Sequence, residues 1–489
     1  MNSPKLFFAA LLTVLVSVTQ AQNENSAFTL TGSGVATPFA TDYQSAGINP
    51  ANLGWTFKES EKRFSLGFTE GAYSIYSEIL SREDLRGNVY GNDFGDLSRD
   101  EKLSYAQDFV NSPLALNADV MSIGFSFATE NFGGIALNIS ERASYYSELG
   151  PLASELLFLG YQSTYFDSLL LNDGSTIANS PDLDPEIYDL VVQGFTSENQ
   201  ALPLSELLEG TELNGQWLRE INVSYGRKIL TTENIGIYGG VGLKYMMGMY
   251  LMDLQFENGE GVGVVSYAPV FDFGAEPVSG QNPSSLQSSN NPLKPAGEGF
   301  GIDIGASIII KDKLTLSAAV NDIGSVTWDG NVFSVEDLKL TELSSPGVTN
   351  LSLVDQLDAF IGEDGILKWE GERKITRDLP TNIRAGASLK LGEKIDVGVD
   401  ALIPANESPG NYREALLSVG GRIRPLKWLE LSTGFMTGGG YDFKIPAGIV
   451  FRAPGGVYEA GVASRDMITF FTDNQPTLSL AMGFARFRF

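Results

Sequence analysis

The sequence contains neither cysteine nor histidine in its 489 residues. Without cysteine the chain has no disulfide, no thiol nucleophile and no cysteine to which a lipid could be attached. Without histidine it has neither a Ser-His-Asp triad nor a histidine-ligated metal site. It also contains no Walker loop and no Gly-x-Gly-x-x-Gly motif between a strand and a helix. These absences predict a protein that is not an enzyme and that holds no cofactor or metal.

Long hydrophobic runs are scarce as well. The apolar run 6–18 follows a basic start and precedes Thr19-Gln20-Ala21, which is the pattern of a secretory signal peptide cleaved after Ala21. That run is too short to be a membrane anchor, and no other stretch approaches the ~20 apolar residues of a spanning helix. We therefore predict a signal peptide at residues 1–21 and an exported chain that is either soluble or a β-barrel.

Basic residues are few, because 33 Lys and Arg oppose 60 Asp and Glu and give a net charge of −27. A nucleic-acid partner would require a basic surface, so none is expected. The segment 147–214 contains no Lys or Arg, and its acids Asp182, Asp184 and Glu186 could gather a divalent cation. Their spacing fits no EF-hand loop, which favours a solvated acidic surface.

Fourteen segments have the length and the alternating pattern of β strands, with turn residues between them. They are residues 63–76, 115–128, 131–146, 215–230, 233–256, 297–310, 313–328, 379–391, 393–404, 413–424, 427–437, 442–452, 455–470 and 476–489. Tight turns alternate with longer connections, of which four are long: 77–114, 147–214, 257–296 and 329–378. This sorting of loop length is typical of outer-membrane barrels, and soluble sandwiches have no reason to show it. The prediction is an all-β, 14-stranded antiparallel transmembrane β-barrel formed by residues 62–489.

Several strands have one apolar and one polar face. Ile395, Val397 and Val399, for example, alternate with charged residues along one strand. Because a charge on the lipid side of a barrel is costly, we expect the apolar faces to point outward and the charged faces inward. The inward set includes Arg384, Asp396, Asp400, Arg422 and Arg424. These charges are either paired to hold the structure together, which we favour, or a selectivity ladder for an anionic solute.

The last strand, residues 477–489, ends on Phe489. It resembles the closing strand of bacterial outer-membrane β-barrels, where that strand also serves as the assembly signal. If Phe487 and Phe489 face lipid, strict alternation places Phe484 in the lumen. A β-bulge near Gly483 would instead exchange the two faces of the strand.

The triplet Asn49-Pro50-Ala51 precedes the first strand, and Asn49 is suited to cap a short helix that begins at Pro50. The triplet resembles one in the N-terminal hatch of the long-chain fatty acid transporter (FadL-type) barrels, and PorV-type barrels of type IX secretion have a similar opening. The ending 321–328 resembles strand ends of PorV- and PorP-like barrels, although a Gly bulge beside a girdle Trp also explains it. The resemblance implies a hatch at residues 22–61. It also implies partly helical outer loops, with apolar pieces at 152–159, 188–192 and 204–208 that could form a groove for a ligand.

These features predict a protein of the Gram-negative outer membrane, surrounded by its lipid. The resemblance implies a hatch-plugged channel for uptake of a hydrophobic or amphipathic small molecule. The alternative is a non-transporting scaffold or docking barrel for protein secretion or surface display, with a secretion or surface protein as its partner. The candidate site residues are Asn49, Pro50 and Ala51 in the hatch, and Arg384, Asp396, Asp400, Arg422, Arg424 and Phe484 in the lumen.

Overall fold

The computed structural model describes residues 27–77, 98–180, 183–271, 288–348, 366–439, 441–468, 471 and 477–489. The signal peptide at 1–21, the start of the hatch and Asp182 lie outside these ranges. The helices are Phe28–Thr31, Asp42–Ser45, Pro50–Gly54, Thr56–Ser60, Arg99–Asp108, Pro151–Leu159, Gly160–Gln162, Pro185–Tyr188, Leu204–Leu207 and Pro454–Gly456. None of the helices in the described ranges is both long and apolar enough to cross a membrane.

Fourteen antiparallel strands form a closed barrel, which confirms the predicted fold. They are β1 Phe64–Ser77, β2 Leu114–Thr129, β3 Gly133–Glu148, β4 Thr211–Thr231, β5 Ile235–Glu257, β6 Gly297–Ile310, β7 Leu314–Trp328, β8 Ile375–Asp378 with Asn382–Leu391, β9 Ile395–Pro404, β10 Leu416–Leu426, β11 Leu429–Gly438, β12 Tyr441–Lys444 with Ala447–Arg452, β13 Tyr458–Ser464 and β14 Thr477–Arg488. Each strand pairs with the next along the chain, and the barrel closes where β1 pairs with β14. Closure leaves no free sheet edge among these strands.

The remaining strands lie beyond the long-loop end of the barrel. Three of them, Glu260–Tyr267, Val332–Val335 and Trp369–Glu372, pair in series and extend the sheet from β5. Four others, Ser168–Leu171, Thr176–Ala178, Val191–Phe195 and Glu342–Leu343, form a separate small sheet. The loops therefore have a folded structure of their own above the barrel.

The predicted division into outward apolar and inward charged faces is confirmed on β8, β9 and β12. Val397 and Val399 are 37% and 50% exposed, whereas Asp396 and Asp400, which flank this pair in the sequence, are buried. Ile383 and Phe443 are likewise exposed, and Arg384 and Lys444 next to them are buried. The outer surface of the barrel is thus apolar, and its lumen is polar and charged.

The strand β14 changes face in its middle, and this corrects the placement of Phe484. Gly483 faces the lumen, where an added Cβ would overlap the Phe28 ring, and Arg486 is buried there too. The pairing of β13 with β14 shifts register at this level, which is a β-bulge. Phe484 therefore points outward and is 56% exposed, so its prediction as a lumen residue is wrong.

Residues 27–61, here called the N-terminal segment, lie inside the barrel. The Asn138 side-chain amide of β3 donates to the Tyr43 carbonyl oxygen at 2.9 Å. On the other side of the lumen, Ser418 of β10 donates to the Gly34 carbonyl oxygen at 2.6 Å. The segment therefore contacts opposite walls of the barrel.

The outer loops bury their apolar side chains in a common core with the long-loop ends of the strands. The pieces 152–159 and 204–208 contain the expected helices, Pro151–Leu159 and Leu204–Leu207. The piece 188–192 is not helical beyond Tyr188, because the β-branched Val191 begins the strand Val191–Phe195. Within the described residues, Leu157, Phe158 and Leu207 pack into this core and do not line an open groove.

Candidate functional site

The triplet Asn49-Pro50-Ala51 forms the start of a short helix that is fixed to the barrel wall. The Asn49 side-chain oxygen accepts the Ala51 N–H at 3.1 Å, so Asn49 caps the helix Pro50–Gly54. The Asn49 amide nitrogen donates to the Ser307 hydroxyl at 3.1 Å on β6. One asparagine therefore both starts the helix and attaches it to the barrel.

Glycines of the wall make room for this helix. A Cβ on Gly226, Gly240 or Gly305 would overlap atoms of Asn49, Pro50 or Ala51. Each of these glycines belongs to a different strand among β4, β5 and β6. The close approach of two backbones that glycine permits explains why the helix can lie directly against the wall.

The inward charges of β9 to β14 form a continuous chain of ion pairs. Its links are Arg422–Asp396 at 2.9 Å, Arg424–Asp396 at 2.6 Å, Arg424–Glu430 at 2.9 Å, Arg452–Glu430 at 3.1 Å, Arg452–Glu459 at 2.8 Å and Arg486–Glu459 at 2.8 Å. The chain crosses six neighbouring strands. Arg422 and Arg424 thus form ion pairs with Asp396 and Glu430. This supports the interpretation of these charges as structural pairs.

Asp400 has a similar holding role, but its partner is the N-terminal segment. Its Oδ2 accepts the backbone N–H groups of Ala36 and Thr37, each at 2.7 Å. Arg422 lies over the Phe39 ring, with 4.4 Å between the guanidinium carbon and the ring centroid. Both side chains therefore connect the wall to the N-terminal segment.

A polar chamber of about 650 Å³ lies between the N-terminal segment and the strands β2 to β8. Its lining includes Arg142, Glu220, Lys244 and Asp322, all of which are buried or nearly so. Arg142 pairs with Glu220 at 2.7 Å and with Asp322 at 3.2 Å. Lys244 pairs with Asp322 at 2.6 Å and with Asp303 at 3.1 Å. These five groups, two cations and three carboxylates, form one network of ion pairs within the wall of the chamber.

A β-bulge in β7 places two consecutive side chains in the polar chamber. The pairing of β6 with β7 shifts register between Ile302 and Ile304, and Asp322 has a φ of 60°. As a result, Asn321 and Asp322 are both buried and both line the chamber. The bulge re-aims a side chain into the lumen, as bulges commonly do.

A second, mostly apolar cavity of about 530 Å³ adjoins the polar chamber. Its apolar lining comes from Leu402, Tyr412, Leu416 and Met436, together with Leu30 of the N-terminal segment. Arg384 belongs to the lining of both cavities, so they lie next to each other at this residue. We call this second space the apolar cavity.

Unlike Arg422 and Arg424, Arg384 forms no ion pair of 4 Å or less with any described residue. It is 8% exposed, and its Nε atom has no hydrogen-bond partner in the described part of the chain. Asn321 lacks a partner for either side-chain atom, and the side-chain oxygen of Asn382 also lacks one. The unpaired groups of the chamber are thus concentrated on β7 and β8.

The loop 405–415, which joins β9 to β10, crosses the lumen at the long-loop end. We call it the strap. Near its start, Asn406 donates to the Leu379 carbonyl oxygen at 2.8 Å, and further along Asn411 donates to the Thr381 carbonyl oxygen at 3.0 Å. At its far end, Arg413 forms an ion pair with Glu212 of β4 and lies 4.1 Å from the Tyr146 ring centroid. The strap therefore spans from the β8–β10 wall to the β3–β4 wall above the two cavities.

Within the described residues, the acidic side chains of segment 147–214 form no metal site. Asp184 accepts the Glu186 N–H at 3.1 Å and caps the helix Pro185–Tyr188. Across the described ranges, no group of three or more acidic side chains is arranged to hold a metal ion.

The sequence interpretation missed Arg142, Glu220, Lys244 and Asn321. The first three are ionisable residues within the long strands β3, β4 and β5. An ionisable residue inside a spanning segment is a site candidate by default, so this signal was present in the sequence. Asn321 carried no such signal because its side chain is not ionisable, although it continues the inward alternation of Thr315, Ser317 and Ala319.

Comparisons with known proteins give one family and several similar architectures. No curated protein matches the chain. Among solved structures, a TodX deltaS2S3 mutant monoaromatic hydrocarbon channel is similar at 10% identity, covering 94% of this chain and 98% of that one with a TM-score of 0.46. The Ralstonia pickettii toluene transporter TbuX is 13% identical, with 94% and 97% covered and a TM-score of 0.43. A Pseudomonas aeruginosa FadL homologue is 11% identical, with 96% and 98% covered and a TM-score of 0.41.

Residues 174–455 match the model of a family described as "Family of unknown function (DUF5723)". The match spans all of β4 to β12, and it includes the strap and six of the fourteen residues that line the polar chamber. Since it covers more than half of the 489 residues, the chain belongs to this family of unknown function, DUF5723.

Proposed function

We propose that the protein is an outer-membrane channel that takes up an amphipathic small molecule past a movable N-terminal hatch. The observation that carries this proposal is the pair of adjoining cavities beside the N-terminal segment, one polar and one apolar, which meet at Arg384. Together they offer separate surroundings for the polar and apolar ends of one solute. Neither end of the solute would then lose its preferred contacts on the way.

The apolar outer surface of the barrel supports a place in the membrane. Outward side chains such as Val399, Leu417 and Phe435 are about half exposed, whereas their inward neighbours are charged or small. Such a surface is stable in lipid and would aggregate in water. In this proposal residues 1–21 direct export, residues 22–61 form the hatch and residues 62–489 form the barrel of the Gram-negative outer membrane.

The part of the N-terminal segment around Asn49 is held by hydrogen bonds, which supports a hatch that moves there, while the buried Asp42–Arg486 ion pair anchors the segment elsewhere. Its helix Pro50–Gly54 is attached to β6 through the Asn49 side chain, and Asp400 holds the backbone at Ala36 and Thr37. These are hydrogen bonds, each of which contributes about 0.5–3 kcal/mol. A shift of the segment by a few ångströms would connect the two cavities to the tight-turn end of the barrel.

A reversible cross-link tests this proposal. The chain has no cysteine, so N49C/S307C introduces the only thiols, at two positions whose side chains are in hydrogen-bond contact. The purified variant is reconstituted in liposomes, and uptake of a short-chain fluorescent amphiphile is measured before and after oxidation. We expect oxidation to stop uptake and reduction to restore it, while the single variants N49C and S307C stay active in both states.

Two results would contradict the proposal in different ways. Equal uptake by oxidised and reduced N49C/S307C would show that the segment around Asn49 is not the hatch. Uptake no faster than in protein-free liposomes, for the unmodified protein, would show that the barrel is not a channel. The second result would leave a docking barrel for a protein partner as the explanation of the fold.

A further inference from the structure

The charged side chains of the lumen form two networks, and the first of them is balanced. It is the chain of ion pairs on β9 to β14, which continues from Arg486 to Asp42 and Arg488 and includes the neighbouring Glu70. Its five carboxylates and five arginines are Asp42, Glu70, Asp396, Glu430 and Glu459, with Arg422, Arg424, Arg452, Arg486 and Arg488. This network therefore has no net charge.

The second network surrounds the polar chamber, and its carboxylates outnumber its cations. The cations are Arg142, Lys244 and Arg384. The carboxylates with which they interact are Asp119, Glu220, Asp303, Asp322 and Asp400. A further cation, Arg465, lines the apolar cavity but not the polar chamber, and counting it would still leave five carboxylates against four cations. The surroundings of the polar chamber are therefore negatively charged.

This excess of negative charge is buried. Each of the five carboxylate residues is 9% exposed or less. Buried charges are normally compensated, because a charge removed from water without a partner is costly. Either protons on the carboxylates or a cation bound in the chamber can supply the compensation.

Three asparagines that line the polar chamber offer hydrogen-bond acceptors to such a cation. Asn138, Asn321 and Asn382 are 8%, 2% and 1% exposed, and their side-chain oxygens have no hydrogen-bond partner among the described residues. The amide nitrogen of Asn138 donates to the Tyr43 carbonyl oxygen at 2.9 Å, and that of Asn382 donates to the Pro380 carbonyl oxygen at 2.8 Å. Because a carbonyl oxygen can only accept, these two contacts determine which side-chain atom is the oxygen.

The three oxygens indicate a ligand that carries N–H groups. Asn321 and Asn382 are direct partners across β7 and β8, and such side chains have their Cβ atoms about 5 Å apart. Asn138 comes from β3, on another side of the chamber. Buried acceptors without a donor are rare in folded proteins, so several of them around one cavity indicate that a donor is missing. A cation with N–H groups would supply both the donors and the positive charge.

We infer that the polar chamber binds the cationic end of the solute, a primary ammonium group, and that the hydrocarbon part of this amine lies in the apolar cavity. The ammonium group donates to the side-chain oxygens of Asn321 and Asn382, and the excess carboxylates around the chamber balance its charge. The hydrocarbon part packs against Leu402 and Met436. The inference rests on the proposed channel function, because it assigns the chemical class of the solute to the same two cavities.

Titration calorimetry on the purified full-length protein, in an uncharged maltoside detergent, tests the inference. The probe is hexylamine, which is a primary ammonium ion at neutral pH. Its comparisons have the same hydrocarbon chain: uncharged hexanol, anionic hexanoate, and hexyltrimethylammonium, which is a cation without N–H groups. The ammonium ion should bind about tenfold or more tightly than hexanol and hexanoate, as expected for a charged hydrogen bond. It should also bind more tightly than hexyltrimethylammonium.

Variants locate the binding site. D119N removes one of the excess carboxylates while Arg142 keeps Glu220 and Asp322, so the barrel should fold and bind hexylammonium about 3- to 10-fold more weakly. N382A should weaken hexylammonium but leave hexyltrimethylammonium unchanged, because only the former donates a hydrogen bond. The control is E141Q, which removes a carboxylate of β3 that lines neither cavity, and it should bind like the unmodified protein.

The outcomes separate this inference from the proposed function. Equal binding of hexylammonium and hexanol by the unmodified protein would overturn the inference and leave protons as the compensation for the excess carboxylates. An N382A barrel that is folded, as verified by its heat-modifiable gel mobility, and that binds both cations like the unmodified protein would overturn it as well. In either case liposome uptake of an uncharged amphiphile would leave the channel standing. Ammonium binding that depends on Asp119 and Asn382 but is not followed by uptake would support the site and contradict the channel.

Discussion

Asp42 and Arg486 form an ion pair of 2.6 Å although 444 positions separate them in the sequence. Both side chains are almost completely buried, and Arg488 lies 2.9 Å from the same carboxylate. Arg486 is also the last member of the ion-pair chain that crosses β9 to β14. The N-terminal segment is therefore attached by ion pairs to the barrel wall where β1 and β14 pair and the barrel closes.

Removing the charge of Asp42 should destabilise this seam. D42N leaves two buried arginines without their shared carboxylate, and breaking a buried pair in this way costs about 3–5 kcal/mol. The matched control is D312N, which removes the partner of Lys58 in another contact between the N-terminal segment and the barrel. That pair is 60% and 70% exposed, and exposed pairs contribute only about 0–1 kcal/mol.

The measurement for this pair of variants is the free energy of unfolding in urea, followed by tryptophan fluorescence. D42N should shift the midpoint well below that of the unmodified protein, and D312N should leave it nearly unchanged. Similar midpoints for the two variants would show that the Asp42–Arg486 pair does not hold the segment.

The exchange of faces in β14 can be tested by cysteine labelling, because the chain has no cysteine of its own. We expect a fluorophore on F484C or F487C to be quenched by brominated lipid, and one on S479C to be protected inside the lumen. Ser479 is buried, whereas Phe484 is exposed. Quenching at 479 together with protection at 484 would mean that the bulge lies elsewhere and that Phe484 faces inward.

The number and the direction of the strands were predictable from the sequence, because alternation and turn residues are local signals. The faces were predictable only where alternation is unbroken, as on β8 and β9. Phe484 was misplaced because a bulge adds one residue to a strand without changing its composition. The same irregularity recurs in β1, where Thr69 has a φ of 51°, and in β2 near Met121.

The candidate site was predictable in part for a related reason. The inward position of Arg384 follows from the alternation along β8, but its lack of an ion pair within the described residues depends on what the other thirteen strands and the N-terminal segment bring near it. Asp322 enters the polar chamber next to Asn321 only because of the bulge at its own position. Pairing and cavities are properties of the closed barrel, and no stretch of sequence specifies them locally.

Gly240 should be intolerant of a side chain. Its Cβ would overlap the backbone at Pro50 and Ala51, so G240A has to push the helix Pro50–Gly54 away from the wall. Overpacking of this kind costs about 1–3 kcal/mol. The neighbouring G239A is the control, because a Cβ there would meet only the Ile229 side chain at ordinary contact distance.

Thermal unfolding of the two glycine variants should separate them. G240A should melt several degrees below the unmodified protein, and G239A should melt within about a degree of it. If the helix moves as the channel proposal requires, G240A should also admit a small fluorescent solute faster in liposomes. Equal melting temperatures would show that the helix does not approach the wall at Gly240.

The strap should control access to the two cavities from the long-loop end. Arg413 holds its far end through Glu212 and the Tyr146 ring, so R413Q releases the strap from the β3–β4 wall. Ser418 lines the apolar cavity below the strap, and S418C therefore reports on access. We expect R413Q to raise the alkylation rate of S418C by a charged maleimide about 3- to 10-fold, since an exposed pair with a cation–π contact contributes about 1 kcal/mol or slightly more.

The matched control is R219Q, because Arg219 pairs with Glu141 across the same two strands without touching the strap. If R219Q accelerates alkylation as much as R413Q does, the effect comes from loosening the β3–β4 wall, and the strap is not the barrier. An unchanged rate in R413Q would place the barrier in the packed core of the outer loops, where Phe158 and Leu207 lie.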